Sequence, residues 1–132
     1  MTGASLAFAD RGVHTLKGVP EPTDQLQKAV LFEGDGAVVE KGNAVVVKYL
    51  GQVYDGKKPF DENFSTDKPT SFAIGNGAVI KGWDQTIVGS KVGTRMVIAV
   101  PPDLGYGEEG NPDAGIKGTD TLYFVIDVLA TA

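Results

Sequence analysis

Apolar residues recur along this chain with two periods, and the places where the period changes mark its elements. From Ala44 to Tyr54 the period is two: Val45, Val47, Tyr49 and Val53 fall on one side of an extended segment, Lys48 and Gln52 on the other. Asp55-Gly56, directly after it, is a strong turn dipeptide. Ala29–Phe32 and Ser71–Ile74 read as short strands, the first closed by the turn-forming Glu33-Gly34-Asp35-Gly36. Thr94–Val100 predicts a strand that stops at Pro101-Pro102. Thr121–Leu129 predicts the last one, with Leu122, Phe124, Ile126 and Val128 alternating against Tyr123, Val125 and Asp127. Between Val79 and Val88 the spacing becomes helical: Ile80, Trp83, Ile87 and Val88 form one stripe, and Gly89 is placed to end it in the left-handed conformation.

Irregular stretches separate these segments. Pro20 and Pro22 bracket Glu21 in an opening stretch without periodicity, so the expected organisation is a leader over residues 1–24 and one domain over residues 25–132. Pro101 to Asp120 makes a Gly- and Pro-rich loop of roughly twenty residues, a length that inside a compact domain usually serves function. Several strands and one short helix predict an α+β fold: a twisted, five- to six-stranded antiparallel half-barrel sheet wrapped around the helix. That helix is too short to persist alone, so its Trp83–Ile87 face must pack on the concave side of the sheet.

The glycine content, 18 of 132 residues, is about twice the usual ~7% share and fits tight turns between strands. A net charge of −5 repels phosphate backbones and argues against nucleic acid as a partner. No apolar run approaches the ~20 residues of a membrane span. The absence of cysteine excludes disulfides and thiol catalysis. It leaves the compartment open between cytoplasm and the mature part of an envelope or secreted protein. Met1–Ala9 is mildly apolar but lacks a basic n-region, so it does not read as an intact signal peptide.

Most site chemistry is missing. The single histidine, His14, sits in the leader and reads as a tail residue, which leaves no Ser–His–Asp triad in the domain. Asp61-Glu62 and Glu108-Glu109 have no partners at ligand spacing, so no metal centre is expected. Gly105-Tyr106-Gly107 follows a Pro-Pro break and opens no helix, so no organic cofactor is expected either. What remains is an aromatic set beside glycine and proline: Tyr49, Phe60, Phe72, Trp83, Tyr106 and Phe124. Taken singly, each is most simply a core residue. Two positions resist that reading: Tyr106 lies between glycines in the long loop, and Phe60 directly precedes Asp61 at a strand edge.

With those residues in hand, the chain resembles the FKBP-type peptidyl-prolyl isomerases, the family that binds the macrolides tacrolimus and rapamycin. The resemblance covers about Leu26 to Leu129. It rests on six motifs in family order: Val47-Lys48-Tyr49-Leu50-Gly51, Asp55-Gly56-Lys57-Lys58-Pro59-Phe60-Asp61, Val79-Ile80-Lys81-Gly82-Trp83, Val92-Gly93, Pro102-Asp103-Leu104-Gly105-Tyr106-Gly107 and Thr121-Leu122-Tyr123-Phe124. The resemblance implies that Trp83 floors a proline pocket walled by Tyr49, Phe60 and Phe124. Phe72 would add a substrate-binding ring, and Val79, Ile80 and Ile116 an aliphatic rim. It further implies that the Ile80 N–H anchors a substrate carbonyl, that Tyr106 offers its hydroxyl, and that Asp61 sits at the polar edge.

Three positions depart from the family pattern. Thr70 stands where many relatives carry a pocket aromatic, Asn111 where many carry histidine, and Thr66 where many carry an arginine that pairs with the Asp61 position. Asp61 is therefore expected to turn to another partner such as Tyr49, and bulky macrolides to be gripped less firmly. The implied partners are Pro-containing peptides and proteins, met by a monomer. Two other readings share the same features: a binding module that holds a Pro-containing segment without turnover, and a chaperone-like module that binds unfolded chains through its long loop and leader.

Overall fold

The computed structural model describes residues 21–56 and 58–132; His14 and most of the expected leader lie outside the described residues. In chain order the elements are β1 (Gln27–Phe32), β2 (Ala44–Val53), β3 (Asp61–Glu62), β4 (Thr70–Ala73), α1 (Lys81–Ile87), β5 (Arg95–Val100) and β6 (Leu122–Thr131). All strand pairs are antiparallel and follow the order β1-β5-β6-β2. Beyond β2 the edge is shared: Leu50 and Gly51 pair with β3, while Ala44 to Val47 pair with β4. This is the expected α+β architecture, with six antiparallel strands and one α-helix among the described residues.

The alternating pattern works as a wall. Val45, Val47, Met96, Ile98, Val100, Leu122, Phe124, Ile126 and Val128 turn to the concave face and meet Trp83 and Ile87 of α1 there. Ile87 is fully buried, a burial worth about 1.5–3 kcal/mol. Gly82 makes the close approach possible, because a Cβ on it would lie 2.7 Å from Val100 Cγ1. Gly89 ends the helical segment at φ 91°, as the sequence predicts.

Two features differ from the sequence reading. The helix begins at Lys81, because Ile80 is extended (φ −60°, ψ 149°). No side chain caps it; instead Asp84 accepts from the N–H groups of Gly75 (2.7 Å) and Gly77 (3.0 Å), tying the approaching turn to the first helical turn. The outer face of the sheet is also apolar: Ala29, Leu50, Val97, Ala99, Tyr123 and Val125 form a second buried cluster, against which Leu31, Tyr54 and Phe64 pack. Arg95 on that face pairs with Asp127 at 2.6 Å and lies over the Phe64 ring.

The long loop is pinned rather than slack. Pro102–Leu104 and Pro112–Ala114 are single 3-10 turns. Asn111 and Ile116 exchange two backbone hydrogen bonds, of 2.9 and 3.0 Å. Among the described residues no helix is long and apolar enough to cross a membrane.

Candidate active site

Trp83 projects from the first turn of α1 toward the concave face and becomes the hub of three other rings, with a fourth packed behind one of them. Tyr49 from β2 meets it edge-on at 5.1 Å and 76°, Phe124 from β6 at 5.3 Å and 83°, and Phe72 from β4 lies tilted at 5.4 Å. Phe60, on the segment entering β3, stands edge-on to Phe124 at 5.8 Å. Edge-to-face contacts of this kind suit the ring quadrupoles and make the assembly stiff. Gly51 of β2 leaves room for it, since a Cβ there would lie 2.6 Å from Phe124 and 2.8 Å from Phe60.

These rings surround an open cavity of about 480 Å³. Trp83, 7% exposed, lies at its base. Val79 and Ile80 line it from the extended approach to α1, and Tyr106 reaches it from the long loop. Ile116 does not line the cavity; it sits behind, 3% exposed within the core, held by its backbone pairing with Asn111. Ala78 and Thr70 do line it. Ala78 was not legible as a site residue, although its place directly before Val79-Ile80 was a usable signal.

The polar groups are few. The Tyr49 hydroxyl donates to Asp61 Oδ2 at 2.6 Å. Burial, and then this bond to a carboxylate, push the phenol well above the ordinary tyrosine range, so it stays a donor at neutral pH. Asp61 lines the cavity with Tyr49 as its partner, while Thr66 serves the local turn by donating to the Asn63 carbonyl. The Ile80 N–H and the Tyr106 hydroxyl donate to nothing among the described residues, so both are free for a ligand. The buried indole N–H of Trp83 likewise has no acceptor among them.

Asn63 supports the site from behind and carries no sequence signature. Buried at 7%, it fills the gap between β3 and β4 on the edge of β2. Its Oδ1 accepts from the Tyr49 N–H at 2.7 Å, and its Nδ2 donates to the Val47 carbonyl and to Thr70 Oγ1, each at 3.2 Å.

Residues 36–129 match the family model described as FKBP-type peptidyl-prolyl cis-trans isomerase. The FK506-binding protein of Streptomyces anulatus is 38% identical over 110 residues, covering 83% of this chain and 89% of that protein. Peptidyl-prolyl cis-trans isomerase FKBP15-2 of Arabidopsis thaliana is 38% identical over 121 residues, 88% of this chain and 73% of that one. Among solved structures, the crystal structure of AtFKBP13 superposes with a TM-score of 0.73 at 32% identity, covering 81% of this chain and 93% of its own.

Proposed function

The chain belongs to the FKBP-type peptidyl-prolyl cis-trans isomerase family, and from that premise we propose that the ring-lined cavity over Trp83 is where it turns X–Pro bonds. The observation that carries the assignment is a cavity lined by six aromatic side chains, with two donors at its rim that are unused among the described residues, the Ile80 N–H and the Tyr106 hydroxyl.

The chemistry asked of such a site is small. Rotation about a peptide bond meets a barrier of ~18–20 kcal/mol because the planar amide loses resonance when twisted. Prolyl bonds populate both isomers but exchange over tens of seconds or longer. No covalent step is needed; the site has only to favour the twisted amide over the planar one. A planar amide has a large dipole that water solvates well, and twisting weakens it. A dry, aromatic site therefore penalises the planar state more than the twisted one. Trp83 seats the proline ring, Tyr49, Phe60 and Phe124 exclude water, and the two rim donors hold one side of the bond while the other turns. Acceleration of roughly 10⁵-fold corresponds to ~7 kcal/mol. Two neutral hydrogen bonds at ~0.5–1.5 kcal/mol each fall short of that, so shape and desolvation carry most of it.

Tacrolimus-type macrolides enter the same cavity in this reading, in keeping with the FK506-binding names of the relatives. Thr70 leaves one wall low, and Thr70→Phe is expected to tighten such a ligand. The domain acts as a single copy, which sedimentation at working concentration checks. Stopped-flow isomerisation of a Leu-Pro peptide tests the assignment. Phe60→Ala is expected to lower kcat/KM by roughly ten- to a hundredfold, a loss of about 1.4–2.7 kcal/mol. A folded Phe60→Ala protein with full activity would remove the cavity from the mechanism.

A further inference from the structure

Register places Lys28 of β1 opposite Ile98 of β5, on the face whose other strand residues build the concave core. An ammonium there must find acceptors, because burial disfavours the charged form. Burial does pull the Lys28 pKa below the ordinary lysine range, with Glu33 opposing it. The acceptors lie at the end of the helix: Nζ donates to the Thr86 carbonyl at 3.0 Å and to Ser90 Oγ at 3.1 Å, and Ser90 Oγ donates to the same carbonyl at 2.9 Å. The last carbonyls of a helix lack intrahelical partners and carry partial negative charge. α1 has no basic residue in its own last turn, so the cation arrives from another strand.

We propose that Lys28 is a positioning residue for the isomerase reaction, holding the C-terminal turn of α1 and through it the seat of Trp83; this rests on the cavity reading given above. α1 has seven residues, too few to be stable without tertiary support. Trp83 lies three residues before Thr86, within a single helical turn. Thr86 Oγ1 bonds back to the Gly82 carbonyl at 2.7 Å, joining the clamped residue to the one beside Trp83. Asp84 ties the helix to the preceding turn through Gly75 and Gly77, and Gly82, the second helical residue, rests against Val100 at the N-terminal end. Without the ammonium, only the N-terminal end of the helix stays held, and its C-terminal turn can swing away from the sheet and disturb the seat of the indole.

The test uses the full chain and its single tryptophan. Lys28→Met keeps an apolar stem and removes the charge; Lys28→Arg restores a cationic donor. Turnover of a Leu-Pro peptide and Trp83 emission are read at a temperature where each variant is folded by far-UV circular dichroism. Lys28→Met is expected to lower kcat/KM about fivefold, mainly through kcat, and to shift the emission, with Lys28→Arg recovering most of both. A folded Lys28→Met protein with wild-type kcat, KM and emission overturns the proposal, as does a Lys28→Arg protein no better than Lys28→Met. Should Lys28→Met not fold, Lys28→Gln is read the same way, and wild-type values in it are equally fatal. A wild-type chain without turnover brings down the cavity reading itself, an outcome distinct from an active enzyme indifferent to Lys28.

Discussion

Phe60 and Phe124 stand where they do because position 51 has no side chain. Gly51 belongs to the concave-facing set of β2, and a methyl group there would lie 2.8 Å from Phe60 Cζ and 2.6 Å from Phe124 Cε1. Gly51→Ala must therefore push one ring outward. The expected result is a loss of about 1–3 kcal/mol in stability, the usual range for overpacking, with turnover reduced in the folded fraction. Urea unfolding and peptide isomerisation on the same sample check it. Tyr106 sits at the other extreme, 39% exposed with a hydroxyl free of partners among the described residues. Tyr106→Phe removes one hydrogen bond worth ~0.5–1.5 kcal/mol. It should lower kcat/KM by about two- to tenfold and leave the melting temperature unchanged. A drop of about a hundredfold would mean that the hydroxyl does more in the reaction than donate one neutral hydrogen bond.

At the level of elements, the edge of β2 depends on Asn63. Between the two residues paired with β3 and the four paired with β4, its amide makes three hydrogen bonds in place of a strand, one of them to the backbone of Tyr49. Asn63→Ala leaves those groups unsatisfied in a buried place, at about 1–3 kcal/mol for a buried polar group left without a partner. It should lower the melting temperature and accelerate amide exchange at Tyr49, which hydrogen-exchange NMR resolves; an unchanged Tyr49 amide would show that the edge holds without it. None of this was legible in the chain. Strand periods, the Gly89 stop and the Asp55-Gly56 turn are local, and Asp55 does adopt φ 65° with Gly56 bonding back to Val53. The start of α1 is not local: Val79-Ile80 has the right stripe, but Asp84 draws the preceding turn in and leaves Ile80 extended. The same limit hid Asn63 and Ala78, and it set Ile116 behind the cavity rather than on it. Periodicity assigns a side chain to a face of its element, whereas the edge of a cavity depends on how two elements meet.

Over the whole molecule, the sheet is apolar on both faces, and alkali should expose that. Antiparallel sheets often keep one face wet, yet Tyr123 on the outer face is 1% exposed and packs against Tyr54 at 5.9 Å. Burial, followed by the neighbouring Tyr54, raises its pKa from 10.0 to about 12. Tyr49, on the concave face, is raised as well, by burial and by its bond to Asp61. In both cases the folded chain holds a proton that the unfolded chain releases at lower pH. Between the unfolded and folded pKa values the unfolded state thus binds fewer protons, and stability falls as pH rises. The contribution of Tyr123 is whole below pH 10 and drains away as pH climbs through about 12. Urea midpoints measured from pH 9 upward should therefore hold level at first and then decline. Tyr123→Phe should remove part of that decline, and adding Tyr49→Phe should remove more, because each phenol contributes separately from opposite sides of the sheet. A decline as steep in the double variant as in the wild type would mean that neither phenol is what couples this fold to alkali.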